Sequence, residues 1–265
     1  MKPYFTIIVP NYNNCDWLDA SIGSIVKQNF KSYELIIVDD CSTDNSIAKI
    51  KSYCHDYCNI HLLSLTEKRF NGGSRNAGYD YAKKHNLLGK YVLFLDSDDW
   101  YVGNNVLQDI YDCIQENNEP DCVRLSYQAI RGDRVIPVML NEDTPAKLVD
   151  NVNVACWLRV IKTEKWVHQP ENNLMEDAVA NIMQCDNIDT VVPIGRICIS
   201  WNRNNTNSCS THPEAQNNKW KSSLYRYIAD LMDTTCVHDY CERERQLRLS
   251  AAINNARLGR FVQDK

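Results

Sequence analysis

The sequence predicts an α/β fold, and three observations carry that prediction. Continuous apolar and β-branched runs recur along the first half of the chain. Stretches with apolar residues at helical spacing separate them, and each run stops abruptly at polar residues. Strands and helices in alternation build a mostly parallel sheet with helices on both faces, because a parallel connection needs a crossover long enough to hold a helix.

The elements follow in order. Phe5-Thr6-Ile7-Ile8-Val9 is the first strand, ended by Pro10 and Asn11. Trp17, Leu18, Ile22, Ile25 and Val26 then recur as one face of a helix. Leu35-Ile36-Ile37-Val38 is the second strand, ended by Asp39-Asp40, and Ser42-Thr43-Asp44 supply start residues for a helix that carries Ile47, Ile50 and Tyr53. A strand over 60–63, a helix over 74–85 and a strand over 91–95 continue the alternation. From residue 121 the pattern turns mixed, with strands over 123–129, 135–140 and 155–161 and a helix over 175–185. Beyond Lys219, Leu224, Tyr227, Ile228, Leu231 and Met232 make one apolar stripe, and 242–262 is rich in helix formers.

Composition narrows the function classes. A chain of 265 residues, 44% apolar and 24% charged, with a formal net charge of −5, is globular and large enough to bury its own core. Its acidic balance argues against wholesale wrapping of nucleic acid, although the tail from Lys219 carries nine basic against six acidic residues. No apolar run approaches the ~20 residues that cross a bilayer. The N-terminal run is stopped at Pro10, short of a secretory signal, so an intracellular chain is expected, with most of its 12 cysteines as buried thiols. Cys54 and Cys58 could meet a metal with His55 or His61, but the paired Cys-x-x-Cys knuckles of zinc sites are absent.

Open α/β sheets bind ligands beyond the carboxyl ends of their strands. Here those ends carry Asn11-Tyr12-Asn13, Asp39-Asp40 and Asp96-Ser97-Asp98-Asp99. Neither a G-x-G-x-x-G after the first strand nor a G-x-x-x-x-G-K-[ST] occurs, which sets aside dinucleotide dehydrogenases and P-loop phosphotransferases. Three carboxylates within four residues repel one another unless a cation compensates, and a hard divalent ion such as Mg²⁺ or Mn²⁺ takes such oxygen ligands together with phosphate and water.

The order of four motifs, Thr6 to Asn13, Ile37 to Asp44, Asn71-Gly72-Gly73-Ser74-Arg75-Asn76-Ala77-Gly78 and Leu93 to Asp99, resembles a family 2 glycosyltransferase of the GT-A fold. The likeness extends to Glu176-Asp177 and Trp201-Asn202-Arg203, covering about residues 4–210. It implies a Rossmann-like nucleotide-sugar half over 1–120, an acceptor-binding half of the same domain over 121–218, and a helical tail over 219–265. Pro10 and Tyr12 would border the base and Asp39 would accept hydrogen bonds from a uracil edge. Arg75 would lie near the nucleotide or brace the aspartates, with Asn76 as local support. Asp96 and Asp98 would form the Asp-x-Asp that meets ribose, metal and diphosphate, while Asp99 shapes the turn. Asp177 would be the general base of an inverting displacement, with Glu176 orienting it or touching the acceptor. Trp201 and Arg203 would meet acceptor or phosphate.

Three departures from the family pattern stand out. Asn202 stands where the family usually has tyrosine, Cys41 replaces the common glycine after Asp-Asp, and the Asn71-Gly72-Gly73-Ser74 loop is short. The expectation is a Mn²⁺- or Mg²⁺-dependent transfer of a hexose or N-acetylhexosamine from a UDP-sugar to a glycan or lipid-linked glycan. No transmembrane segment is expected, and the chain would work in the cytoplasm or peripherally at the inner membrane surface. Two alternatives stand beside it: transfer to a hydroxylated base in DNA, gripped by the basic tail, or a nucleotide-sugar-binding module without catalysis.

Overall fold

In the computed structural model, residues 2–141, 143, 155–169, 171, 180, 184, 187–206 and 208 are described. The first half runs β1 (Phe5–Asn11), α1 (Leu18–Val26), β2 (Tyr33–Asp39), α2 (Ser46–Asp56), β3 (Ile60–Ser64), α3 (Phe70–Lys84) and β4 (Tyr91–Phe94). The four strands are parallel in the order β3-β2-β1-β4. Every position of β1 is buried, so both faces of the sheet are covered there. Pro10 sits inside this strand at little cost. Pairing with β4 ends at Ile8, and Pro10, two residues on, turns its missing N–H toward that same side.

Helix α3 lies directly on β1 and β2. A side chain at Gly78 would place its Cβ 2.7 Å from Ile8 Cγ2 and 2.9 Å from Val38 Cγ2, so the absence of one sets how closely the helix approaches the sheet.

The second half adds β5 (Trp100–Tyr101), α4 (Val106–Glu116), β6 (Cys122–Arg131), β7 (Arg134–Val138), β8 (Arg159–Lys162) and β9 (Val191–Asn202). Among the described residues, nine strands form one sheet in the order β3-β2-β1-β4-β8-β6-β9-β5, with β7 hairpinned onto β6. β8 is antiparallel to both β4 and β6, β5 is antiparallel to β9, and β9 is parallel to β6. The α/β class and the change from parallel to mixed pairing near residue 121 thus agree with the sequence. The chain steps outward from β1 to β2 and β3 and then returns to β4 on the other side of β1, and the carboxyl ends at such a reversal of strand order are the place where these sheets hold ligands.

Several elements differ from expectation. Helix α3 begins at Phe70, so Asn71-Gly72-Gly73-Ser74 is its first turn and not a loop. The glycines argued against helix, but Asp40 accepts the N–H groups of Arg69 (2.7 Å) and Phe70 (2.8 Å) and starts the helix from across the sheet edge. The strand placed over 155–161 opens as a 3₁₀ turn, Cys156–Leu158, before β8. Helix α4, with Val106, Leu107, Ile110 and Ile114 buried, and strand β9 were not anticipated. Of the expected helix over 175–185 only Ala180 and Gln184 are described, both helical, and the tail from Lys219 lies outside the described residues. Of the described cysteines, Cys122, Cys156 and Cys198 are buried. His61 pairs with Glu34 at 2.8 Å. No helix among the described residues is long and apolar enough to cross a membrane.

Candidate active site

At the carboxyl end of β2, Asp39 is fully buried. Its Oδ2 accepts from Asn11 Nδ2 (2.9 Å) and its Oδ1 from the Ser42 N–H (3.0 Å), so the carboxylate joins the ends of β1 and β2 and closes the turn after β2. Asn13 Oδ1 accepts from the Thr43 N–H at 2.7 Å and holds the neighbouring loop. Cys41, between Asp40 and Ser42, has φ +65°, a left-handed conformation that explains the glycine usual at that position. Asp40 is buried, and burial raises its pKa above the ordinary carboxylate value despite its two backbone donors.

Of the two residues expected to border the base, Pro10 is buried in β1 and Tyr12 lies just beyond the strand with 41% of its surface exposed. The Lys68 ammonium stands 3.3 Å from the centroid of the Tyr12 ring, a cation–π contact. Sequence reasoning missed Lys68, since a lysine before a Gly-rich stretch carries no pattern of its own.

The acidic turn follows β4. Arg75, buried in α3, donates from Nη2 to Asp96 Oδ1 at 2.8 Å. Asp98 Oδ2 accepts from Asn205 Nδ2 at 2.7 Å. Burial, and next the charge of Asp96, push the Asp98 carboxyl up to about 6. Asp99 is buried and accepts the Asn202 N–H at 2.8 Å, which fixes β9 to the turn. Burial followed by the charges of Asp98 and Asp96 raises its pKa well above the ordinary value. Asn14 donates to Ser97 Oγ (2.8 Å) and accepts from Asn205 (3.0 Å), tying the loop after β1 to the same turn.

Helix α3 also reaches the second half. Asn76 exchanges two hydrogen bonds with the backbone of Gln169, each 2.8 Å, and Arg69 Nη2 meets both oxygens of Glu171 at 2.5 and 2.6 Å. Glu176 and Asp177 lie outside the described residues. Trp201 packs edge-on to Tyr127, with ring centroids 5.9 Å apart, and the Arg203 guanidinium caps its ring at 4.3 Å. A further pair escaped the sequence reading: Arg124 and Arg159, both buried, face each other across β6 and β8.

Chemically, the edge brings together a buried acceptor carboxylate, an exposed aromatic ring and two neighbouring aspartates. Among the described residues no group of three or more His, Cys, Asp or Glu side chains could hold a metal ion. Asp96 and Asp98 fit the other arrangement hard cations use, one or two carboxylates completed by phosphate and water. Burial, and after it the charge of Asp96, disfavours the ionised Asp98 carboxylate, and a cation bound there would offset both.

The family model for glycosyl transferase family 2 matches residues 6–189. Over 173 residues the chain is 28% identical to the poly(ribitol-phosphate) beta-N-acetylglucosaminyltransferase TarS of Staphylococcus aureus, covering 64% of this chain and 29% of that protein. It is 29% identical over 153 residues to the UDP-Glc:alpha-D-GlcNAc-diphosphoundecaprenol beta-1,3-glucosyltransferase WfgD of Escherichia coli, covering 57% of each. The chain therefore spans less than two thirds of the length of both relatives. The crystal structure of S. aureus TarS 1–349 in complex with UDP-GlcNAc superposes with a TM-score of 0.77 at 22% identity, covering 96% of this chain and 72% of that one. This likeness establishes the GT-A fold.

Proposed function

The chain belongs to glycosyl transferase family 2, and from that premise we propose that it moves a hexose or N-acetylhexosamine from a UDP-sugar to a hydroxyl of a glycan or lipid-linked glycan. The observation that carries this reading is the joining of Asp39, Tyr12 and the Asp96-Ser97-Asp98-Asp99 turn at one sheet edge, with Arg75 braced against Asp96. The names of both relatives give N-acetylglucosamine or glucose as the group transferred and a beta linkage as the product. A beta product is what inversion of an alpha-linked nucleotide sugar yields.

In this reading Tyr12 stacks on the base beside Pro10, and Asp39 accepts from its edge. Asp98 and Asp96 would hold Mn²⁺ or Mg²⁺, which when bound supplies Lewis-acid assistance to the departing diphosphate. Arg75 keeps Asp96 oriented and adds positive charge beside it. Asp177 accepts the proton of the acceptor hydroxyl as that oxygen attacks the anomeric carbon, and the bond from sugar to diphosphate breaks on the opposite side. Glu176 orients Asp177 or touches the acceptor, and Trp201 with Arg203 flanks the acceptor path.

The test pairs two measurements. Thermal shift with UDP and GDP, each with and without Mn²⁺, reads the donor class, because a ligand that binds only the native state raises its stability. A metal-dependent UDP shift is expected, and none with any nucleotide would overturn the donor assignment. Asp177→Asn should lower transfer at least 100-fold with UDP affinity kept. Transfer that persists would remove Asp177 as the base.

A further inference from the structure

Three arginines lie in a row at one end of the acceptor half. Arg131 and Arg134 are directly paired across the β6–β7 hairpin, joined by the turn Gly132-Asp133 with Gly132 at φ +58°. Arg203 follows the Ile130–Asn202 pair of β6 and β9 and donates its backbone N–H to the Ile130 carbonyl at 2.8 Å, which continues the ladder by one step. The register therefore puts Arg134, Arg131 and Arg203 on one face of three adjacent strands, about 4.8 Å apart. All three are exposed.

Like charges set directly opposite each other in a sheet are destabilising. Asp133 is the one carboxylate in the turn, and no ion pair joins a described carboxylate to any of the three guanidinium groups. The same face carries Ile136, half exposed and paired with Ala129, and Trp201, also paired with Ala129, whose ring lies under the Arg203 guanidinium at 4.3 Å. Ile136 is thus an exposed apolar neighbour of a cationic rim.

The rim is tied to the donor edge. Asn204 Oδ1 accepts the Gly132 N–H at 2.6 Å, the Asn202 N–H reaches Asp99, and Asn205 reaches Asp98. A ligand held on the arginine row lies along the segment that ends at the acidic turn.

Resting on the reading of the chain as a sugar transferase, we propose that Arg131, Arg134 and Arg203 form an acceptor subsite for an anionic glycan. The guanidinium groups bind its phosphate or carboxylate oxygens, Arg203 from its place over the Trp201 ring, and Ile136 takes the apolar face of its sugar or polyol units. Planar guanidinium forks suit both anions, and an anion on the row removes the repulsion between Arg131 and Arg134.

The full chain is titrated calorimetrically at several salt concentrations with a glycerol-phosphate diester oligomer, an oligogalacturonate of equal length, neutral dextran and duplex DNA. Binding of the first or second, weakening steeply with salt, and none of dextran is expected. Which of the two binds more tightly names the anion. The double variant Arg131→Gln/Arg134→Gln should bind that oligomer at least tenfold more weakly with a shallower salt slope, while its UDP affinity stays at the wild-type value and so reports an intact fold. The single variant Arg134→Gln should fall between. Equal binding by wild type and variants, or dextran binding as tightly as the charged oligomers, would overturn the subsite. Tighter binding of duplex DNA would overturn it in favour of nucleic acid. Loss of UDP binding in the wild type would refute the donor reading and leave the anion subsite to stand or fall on the oligomer titrations.

Discussion

Arg75 and Asp96 meet at 2.8 Å, the arginine fully buried in α3 and the aspartate at the mouth of the acidic turn with a quarter of its side chain exposed. The pair is one-sided. Asp96 can be partly rehydrated if its partner is lost, whereas the arginine has no solvent to fall back on. Arg75 also donates to Gln169 Oε1 at 3.3 Å, so a single guanidinium holds the acidic turn and the second half together.

Replacing Arg75 with Met should therefore cost about 2–3 kcal/mol, below the range for fully buried pairs because Asp96 reaches water. Urea denaturation measures it. UDP affinity should fall at least tenfold in the same variant, since Asp96 is then free to leave its orientation. A variant with wild-type stability and wild-type UDP affinity would show that the pair braces nothing.

Asp98 titrates in a direction that can be checked. Its pKa is raised from 3.8 to about 6 by burial and by Asp96, so between those values the native state binds more protons than the unfolded chain. Stability of the ligand-free protein then falls as pH rises from about 4 to about 6, and the penalty is fully present at neutral pH. Asp98→Asn removes that penalty and should stabilise the ligand-free protein by about 1–2 kcal/mol at pH 7, flattening the profile in that window. The same variant should lose Mn²⁺-dependent UDP binding. Destabilisation at pH 7, or metal dependence left intact, would contradict the role given to Asp98.

Much of the candidate site was legible in the sequence because its residues sit at strand ends, where apolar runs stop against polar clusters. Asp39, Asp96, Asp98 and Asp99 were found that way, and Arg75 through the motif around it. What escaped depends on contacts between distant segments. Helix α3 starts at Phe70 because Asp40, thirty residues earlier, accepts its first N–H groups, and nothing local in Asn71-Gly72-Gly73 announces a helix. Asn205 and Asn14 meet Asp98 and Ser97 only once β9 is hydrogen-bonded to Asp99. The arginine row is likewise a matter of register, invisible until β6, β7 and β9 are aligned.

Gly78 sets the spacing between α3 and the sheet. Gly78→Ala would gain about 1 kcal/mol of helix propensity, but its new Cβ would meet Ile8 and Val38 at under 3 Å inside the core. Overpacking of that kind costs about 1–3 kcal/mol, and both neighbours are fully buried branched side chains with nowhere to turn. Net destabilisation of about 1–2 kcal/mol is expected by urea denaturation, and more for Gly78→Val. A stabilised alanine variant would mean that α3 shifts freely on β1 and β2.

Cys41 separates backbone strain from side-chain chemistry at the edge of the proposed donor site. At φ +65° a side chain with one branch at Cβ crowds the backbone, and a β-branched residue crowds it further. Cys41→Gly relieves that crowding, loses the thiol contact to the Leu65 carbonyl at 3.4 Å and adds unfolded-state freedom, so its net change should stay within about 1 kcal/mol. Cys41→Val should cost about 2 kcal/mol more than the glycine variant. The strain falls on the turn in which the Ser42 N–H holds Asp39 Oδ1, so valine should also weaken UDP binding while glycine keeps it. If both variants bind UDP equally well, the Ser42 contact does not control Asp39. If valine is as stable as glycine, the left-handed backbone at this position is not what the sequence has to accommodate.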